Sequence, residues 1–562
     1  DSTNNSLAVD ATSSINNIKN LILGDNNSTF YLQDVPVAVP NRFAAGRLVM
    51  KAGDGGYLYV GPAGSVNVSL VVSNYPLYTT AAGIVGNTAS GKSNSVLVTG
   101  SSGLWNLGSQ NLTIGADTSC IGNALTVNGG ATVNGIAALA LPGVSGAVTV
   151  TNGGKLATAS ACVLGSAAGV NRNTVAVSGT GSEWNLGGQN LTIGNNALAF
   201  SNAVAVMNGG SLTNAGTVIM GTTVNCGSRL TVSNGLFSAS YLSAALPGNP
   251  VTFHGGRMNL GGCVFNNGTG FLVGDGADAA TLNSASVAGS LIFNNGLFIA
   301  AYSAFCGVGT VDALAGAGGV TVSNGASFFG GQGVNSPGAL TVNSLNWQAG
   351  ATLVVPIISV AGLPGSSWGL VNVTGPMTNA VPGATSNIVN MVGAPANMDT
   401  NAAIVMKIMT FGTGSVVNAG EISIRTNDFV GGGNWTLLST NNALYLVNAG
   451  SPPPPATYTW TNLAGGVWSV GGNWDVPNVA PGSGGSTNYT LAFTNNGAAS
   501  YVATNDIGTP DFTNNALVFW STSTNSARLT GSNIVLAANG PTNPGIYQGS
   551  SGAFVISNKL TL

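Results

Sequence analysis

The stretch GTGSEWNLGGQNLTIG, Gly179–Gly194, repeats one that stands 79 residues earlier as GSSGLWNLGSQNLTIG, Gly100–Gly115. Downstream of the two copies, ALTVNGGATVNG (124–135) matches AVAVMNGGSLTNAG (203–216). A shorter unit lies inside the long one. It is a strand-like run closed by Asn-Gly: LTVNGG (125–130), VTVTNGG (148–154), VAVMNGG (204–210), LTVSNG (230–235) and VTVSNG (320–325). Val, Leu and Ile at alternate positions turn one face inward, while the intervening Thr, Ser and Asn face out. Asn and Gly tolerate the positive φ that a tight turn demands. Where the pattern is clear the runs recur roughly every 24 residues, too short a spacing for separate domains. A single coil of that length cannot bury its apolar face, whereas stacked coils can. The periodicity therefore predicts an all-β protein, a parallel β-solenoid of tandem coils.

Composition agrees with this. Of 562 residues 84 are glycine and 44% are hydrophobic, yet only 5% are charged, against about 25% in an average domain. Equivalent side chains of a solenoid stack about 4.8 Å apart, so like charges would repel in columns, whereas Asn and Thr can bond along them. Residues 118–274 contain a single acidic residue, Glu183. A net charge of −3 supplies no electrostatic attraction for nucleic acid. The longest apolar run, LVVPIISVAGL (353–363), falls short of a membrane span.

The rhythm changes near Gly330, and residues 331–450 read as a closing β segment of a first module whose coils fill 1–330. SPPPPA (451–456) reads as a stiff linker, and 457–562 as the start of a second β module. With about 18 coils, the first module would be on the order of 90 Å long. The chain begins at Asp1 and stops at VISNKLTL, so we expect it to be a segment of a longer array.

The copy at Gly179, followed by VMNGGSLTNAGTVIMG (206–221), resembles the repeats shared by autotransporter passengers and bacterial surface proteins with sorting signals. In that family G-x-G-S-x-W opens a coil, L-x-I-G ends a strand and L-x-V-x-N-G-G forms the next. The copy at Gly100 departs from it in GSSGLW. The resemblance covers roughly residues 95–360 and 456–520. It implies a right-handed parallel β-helix, exported and displayed at the cell surface, and it implies no single activity.

Candidate sites are few. Trp105 and Trp184, with Asn106, Asn185, Gly115 and Gly194, recur with the repeat and are expected to be packing anchors. Trp460, Trp468 and Trp474 cluster in the second module, either as local core or as a surface that stacks on glycans. Asp275 and Asp278 are three apart in GDGAD, expected to be a solvated turn with calcium as the alternative. His254 stands beside Arg257, Asp54 beside Lys51, and Asp506 near Asp511. No motif for a nucleophile, phosphate loop or zinc site is present, so no catalytic, cofactor or metal residues are assigned and an enzyme is not expected. Cys120, Cys162, Cys226, Cys263 and Cys306 show no metal-ligand spacing. They read as buried small hydrophobes, with one or two inter-rung disulfides as the alternative. The sequons at Asn67, Asn111, Asn190 and Asn372 arise by composition. Tandem modules with so few reactive groups predict a structural, exported array that self-associates into a fibre, sheath or stalk. An adhesin or glycan-binding passenger is the alternative, with a polysaccharide-degrading β-helix third.

Overall fold

The computed structural model describes residues 58–562 except for short stretches at 62–65, 75, 80–81, 88–90, 314–318, 334, 380–382, 396–397, 400–401, 441, 449–455, 476–478, 498, 509, 522–523, 540–541 and 550–551. Before residue 58 it describes the backbone of short strands between 6 and 57. Most of the linker SPPPPA and the Lys51–Asp54 pair lie outside the described residues. The chain is a parallel β-solenoid of about 18 turns, divided into two compact units. One comprises Asp1–Met398 with Ile404–Val447, the other Asp399–Ala403 with Asn448–Leu562.

Each turn of the first unit contributes strands to three faces. The runs that end in Asn-Gly build the first face, a single sheet of 15 strands spanning roughly 70 Å at one strand spacing per turn. Its register is in step: Ser95–Thr99 pairs residue for residue with Ser69–Ser73 on one side and Ala124–Asn128 on the other, all parallel. Within each strand burial alternates as the pattern requires, so Val96 and Val98, Leu125 and Val127, Val175 and Val177 point inward. The repeated Trp stretch supplies the other two faces. In Leu104–Ile114 the first half pairs Trp105 with Leu77 and Val133, and the second pairs Leu112 with Gly83 and Leu139.

Two corners make the coil close. Leaving the first face, the chain passes through a left-handed residue in successive turns: Asn74 (φ 56°), Gly100 (82°), Gly129 (66°), Asn152 (49°), Gly179 (91°), Asn208 (53°) and Asn234 (55°). These are not hairpin turns; they redirect the strand onto the next face, and the first-face strands of successive turns pair in parallel. Entering the first face, a buried residue precedes the alternating run. It is Asn94, Asn123, Asn173, Asn202, Ser228 and Asn249 in successive turns, with Gly146 as the exception.

These asparagines form a polar column inside an otherwise apolar rod. Asn123 Oδ1 accepts from the backbone N–H of Asn94 and from its Nδ2, each at 3.0 Å, while Asn123 Nδ2 donates to Gly91 O. Asn173 accepts from Gly146 N at 2.7 Å and donates to Leu141 O and Gly143 O. Ser228 N donates in turn to Asn249 Oδ1 at 3.0 Å. Corner amides such as those of Asn94 and Gly146 are thus paired by the next rung, and corner carbonyls gain a side-chain donor.

Residues 331–447 differ from the expected closing segment: they carry on the same rungs. Leu345–Trp347 pairs with Val320–Val322, Thr352–Pro356 with Ser327–Gly333, Asn387–Gly393 with Thr352–Pro356, and Ile422–Phe429 with Asn387–Gly393. Only the excursions lengthen, so Leu353 is followed in its column by Val389. The interior leading into this stretch is aromatic, with Phe265, Phe271 and Phe293 clustered at centroid distances of 4.2–5.6 Å and Phe328 edge-on to Trp347. The second unit repeats the plan in small sheets of 4, 4 and 3 parallel strands. No helix among the described residues is long and apolar enough to cross a membrane.

Removing Asn173 from the buried column takes the partner from both Gly146 N and Gly143 O. We expect Asn173→Ala to lower unfolding free energy by roughly 3 kcal/mol, and the outward-facing Thr149→Ala to change it by less than about 0.5 kcal/mol. Equilibrium denaturation followed by far-UV circular dichroism checks both.

Candidate functional site

The repeated motif resolves into architecture. Trp105 and Trp184 occupy one column and are separated by Val133 and Leu156, so the 79-residue repeat measures three turns of 28, 23 and 28 residues. Both indoles are fully buried, and two intervening rungs keep them from touching. Asn106 Oδ1 caps Gly108 N at 2.8 Å, and Asn185 Oδ1 caps Gly187 N at 2.9 Å, bending the strand between two faces. Asn111 accepts from Ala138 N and Asn190 from Thr217 N of the following rung. Gly115 and Gly194 end the third face at φ 74° and 76°, with their N–H groups bonded to Val85 O and Leu164 O.

The two copies differ in one respect. Trp105 Nε1 donates to Thr79 Oγ1 at 3.2 Å, whereas Trp184 Nε1 and Thr158 Oγ1, at the equivalent places, do not bond each other. A Cβ on Gly83 would lie 2.8 Å from Trp105 Cζ2, and the second copy carries Cys162 there. The indole of Trp184 cannot lean as Trp105 does, and Thr158 lies instead beside the Cys162 thiol.

Trp460, Trp468 and Trp474 are buried, which corrects the reading of them as a sugar-stacking surface. They interlock edge to face, Trp460 on Trp474 at 5.2 Å and Trp468 on Trp474 at 5.9 Å, and Trp468 meets Phe512 at 5.2 Å. Trp460 Nε1 donates to Asn462 O and Trp474 Nε1 to Trp468 O. No ring face is left for a ligand; the cluster is the core of the second unit.

The ionisable candidates gather at the edge of the first face. His254 Nδ1 lies 3.4 Å from Asp275 Oδ2, a pairing across rungs that sequence spacing does not reveal. Asp275 Oδ1 accepts from Ala277 N and Asp278 N; these backbone N–H groups, with a smaller contribution from His254, hold its carboxyl below the usual range. Asp278 accepts from Asn234 Nδ2 at 3.0 Å. Arg257 turns away to Asn259. Other carboxylates are also bonded to neighbouring strands: Glu183 to Thr213 and Lys155, Asp506 to Ser469, Asp511 to Asn533. Among the described residues no three His, Cys, Asp or Glu side chains converge as a metal site would require. All five cysteines are buried and none is joined in a disulfide, so the disulfide alternative is set aside.

The residues that sequence reasoning missed are the corner asparagines. Their signal was present as N-x-V-x-V at Asn94, Asn173 and Asn202, one position ahead of the alternating run. No protein-family model matches the chain, and no curated protein matches it.

Burial pushes the Cys306 thiol up to about 11 from an ordinary 9.0, and raises Cys263 further still. The folded state therefore resists thiolate formation that the unfolded chain undergoes. Stability is expected to hold below pH 8 and to fall as pH rises through 9. At pH 8, intact-mass analysis after iodoacetamide should show no labelling of native protein and five adducts after denaturation.

Proposed function

We propose that this chain is a structural element of an exported, extracellular array, a length of fibre, sheath or stalk whose coils stack along one axis and associate end to end. The observation that supports this best is the in-step register along the first face of the first unit. Its polar side chains bond from rung to rung, the corner asparagines and Glu183 to the adjacent one and Asp278 to the second along, and so serve axial cohesion. Solenoid edges offer unpaired strand groups to a further strand, the general route by which such rods lengthen. The resemblance to surface-protein repeats supports export, and the scarcity of Lys and Arg suits a polymer exposed to proteases.

Negative-stain electron microscopy of the purified chain tests this reading. Filaments of uniform width, growing with concentration and lost when Asn173→Ala weakens the rungs, are the expected result. Dispersed rods that never elongate at any concentration would overturn it.

A further inference from the structure

Eight of the nine tryptophans lie in or against the core of their units; Trp520 is the exception, 54% exposed. It follows the buried Phe519 at the end of strand Ala516–Trp520 and so projects outward. The next strand of that sheet, Gly545–Gln548, opens the segment GIYQG, in which Gly545, Tyr547 and Gly549 share the outward side. Both flanking glycines are occupied by rings. A Cβ on Gly549 would fall 2.6 Å from Trp520 Cε3 and 2.7 Å from Cζ3; a Cβ on Gly545 would fall 2.7 Å from the ring of Tyr547. Each aromatic ring thus abuts the backbone of a glycine, and about half of each side chain stays open to solvent. Tyr547 is 55% exposed.

We propose that Trp520 and Tyr547 form a binding platform for a neutral polysaccharide of β-linked, all-equatorial pyranoses such as glucose or xylose. The axial C–H bonds on the two faces of such a sugar carry partial positive charge, complementary to the negative face of an indole or phenol ring. Register and strand geometry set the two rings side by side, one strand across and two residues along, roughly 8 Å apart at the backbone. The four strands of this sheet carry no charged residue, so an anionic glycan finds no cation there. Two half-exposed rings offer on the order of 200 Å², far less than the roughly 800 Å² per partner of a stable protein interface. The patch therefore fits a ring-sized ligand rather than a second copy of the chain. The platform does not depend on the fibre reading, and it replaces the buried Trp460, Trp468 and Trp474 as the place where a sugar would stack.

Affinity electrophoresis of the full chain in gels containing soluble xylan or mixed-linkage β-glucan tests the proposal. Retardation by at least one of them is expected, together with protection of Trp fluorescence from acrylamide quenching. Trp520→Ala and Tyr547→Ala should each weaken binding about tenfold or more, Gly549→Val should do the same by displacing the indole, and Trp520→Tyr should restore part of it. Circular dichroism and the melting temperature of each variant establish that the fold is kept. Migration unaffected by either polysaccharide would overturn the proposal, as would retardation that Trp520→Ala leaves unchanged in a folded protein. Concentration-dependent association abolished by Trp520→Ala, without polysaccharide binding, would assign the patch to a second copy instead.

Discussion

The structure depends on one steric bargain at the corner where the third face gives way to the first. A left-handed glycine ends the third-face strand, and the buried amide of the following rung fills the space its missing side chain leaves. Gly86 faces Asn123, Gly165 faces Asn202 and Gly221 faces Asn249; a Cβ at any of these would collide with the asparagine. Gly194 faces Ser228 in the same way. The glycine supplies φ of 68–77° at those positions and the cavity as well. The asparagine then pairs corner amides and adds a side-chain donor to corner carbonyls. Neither residue works without the other, and each pair spans two rungs, so the corner binds turns to one another as well as closing them. Gly115 fits the rule by contrast: the next rung carries Gly146 in place of an amide, and the backbone of Gly143 and the Cys120 side chain come close to it instead.

That corner also explains the shortage of charge. A column of side chains at strand spacing rewards groups that both donate and accept, and an amide does both without net charge. The exceptions are opposite charges on adjacent rungs, as Lys155 and Glu183 at 3.2 Å, both partly exposed. Such a pair contributes little in solvent; its merit is that it avoids the repulsion two like charges would suffer in register.

The fold was legible because its determinants are local and periodic. Alternation in the runs around Val96, Leu125 and Val175 gave strand faces directly, and recurrence every few tens of residues gave stacking. The role of residues 331–447 was less legible. There the excursions between strands lengthen, the period dissolves, and continuation of the rungs shows only in the pairing of Leu353 with Val389 and of Val389 with Ile424. Exposure of aromatic residues was the least legible property. Trp460 and Trp520 are equally conspicuous in sequence, and only the strand phase, in the core column with Phe493 for one and outward of Phe519 for the other, separates core from surface. The His254–Asp275 pair was hidden for a similar reason, since register across rungs, not spacing along the chain, brings those side chains together.

The divergence between Trp105 and Trp184 shows how such a rod tolerates sequence drift. Exchange of Gly83 for Cys162 at the equivalent place fills the space into which Trp105 leans and changes the partner of the threonine beside it. The hydrogen bond is lost to Trp184, yet its backbone register with Leu156 and Leu212 is untouched. Register is fixed by the inward alternation of many residues per turn, so a polar contact inside one rung can be rewritten without shifting its neighbours. The corner glycine and its amide are less free, because a side chain at the glycine would displace the next rung itself. Variation is therefore tolerated within rungs and resisted between them, and surface features such as the paired rings of Trp520 and Tyr547 can arise on individual turns of a conserved scaffold geometry.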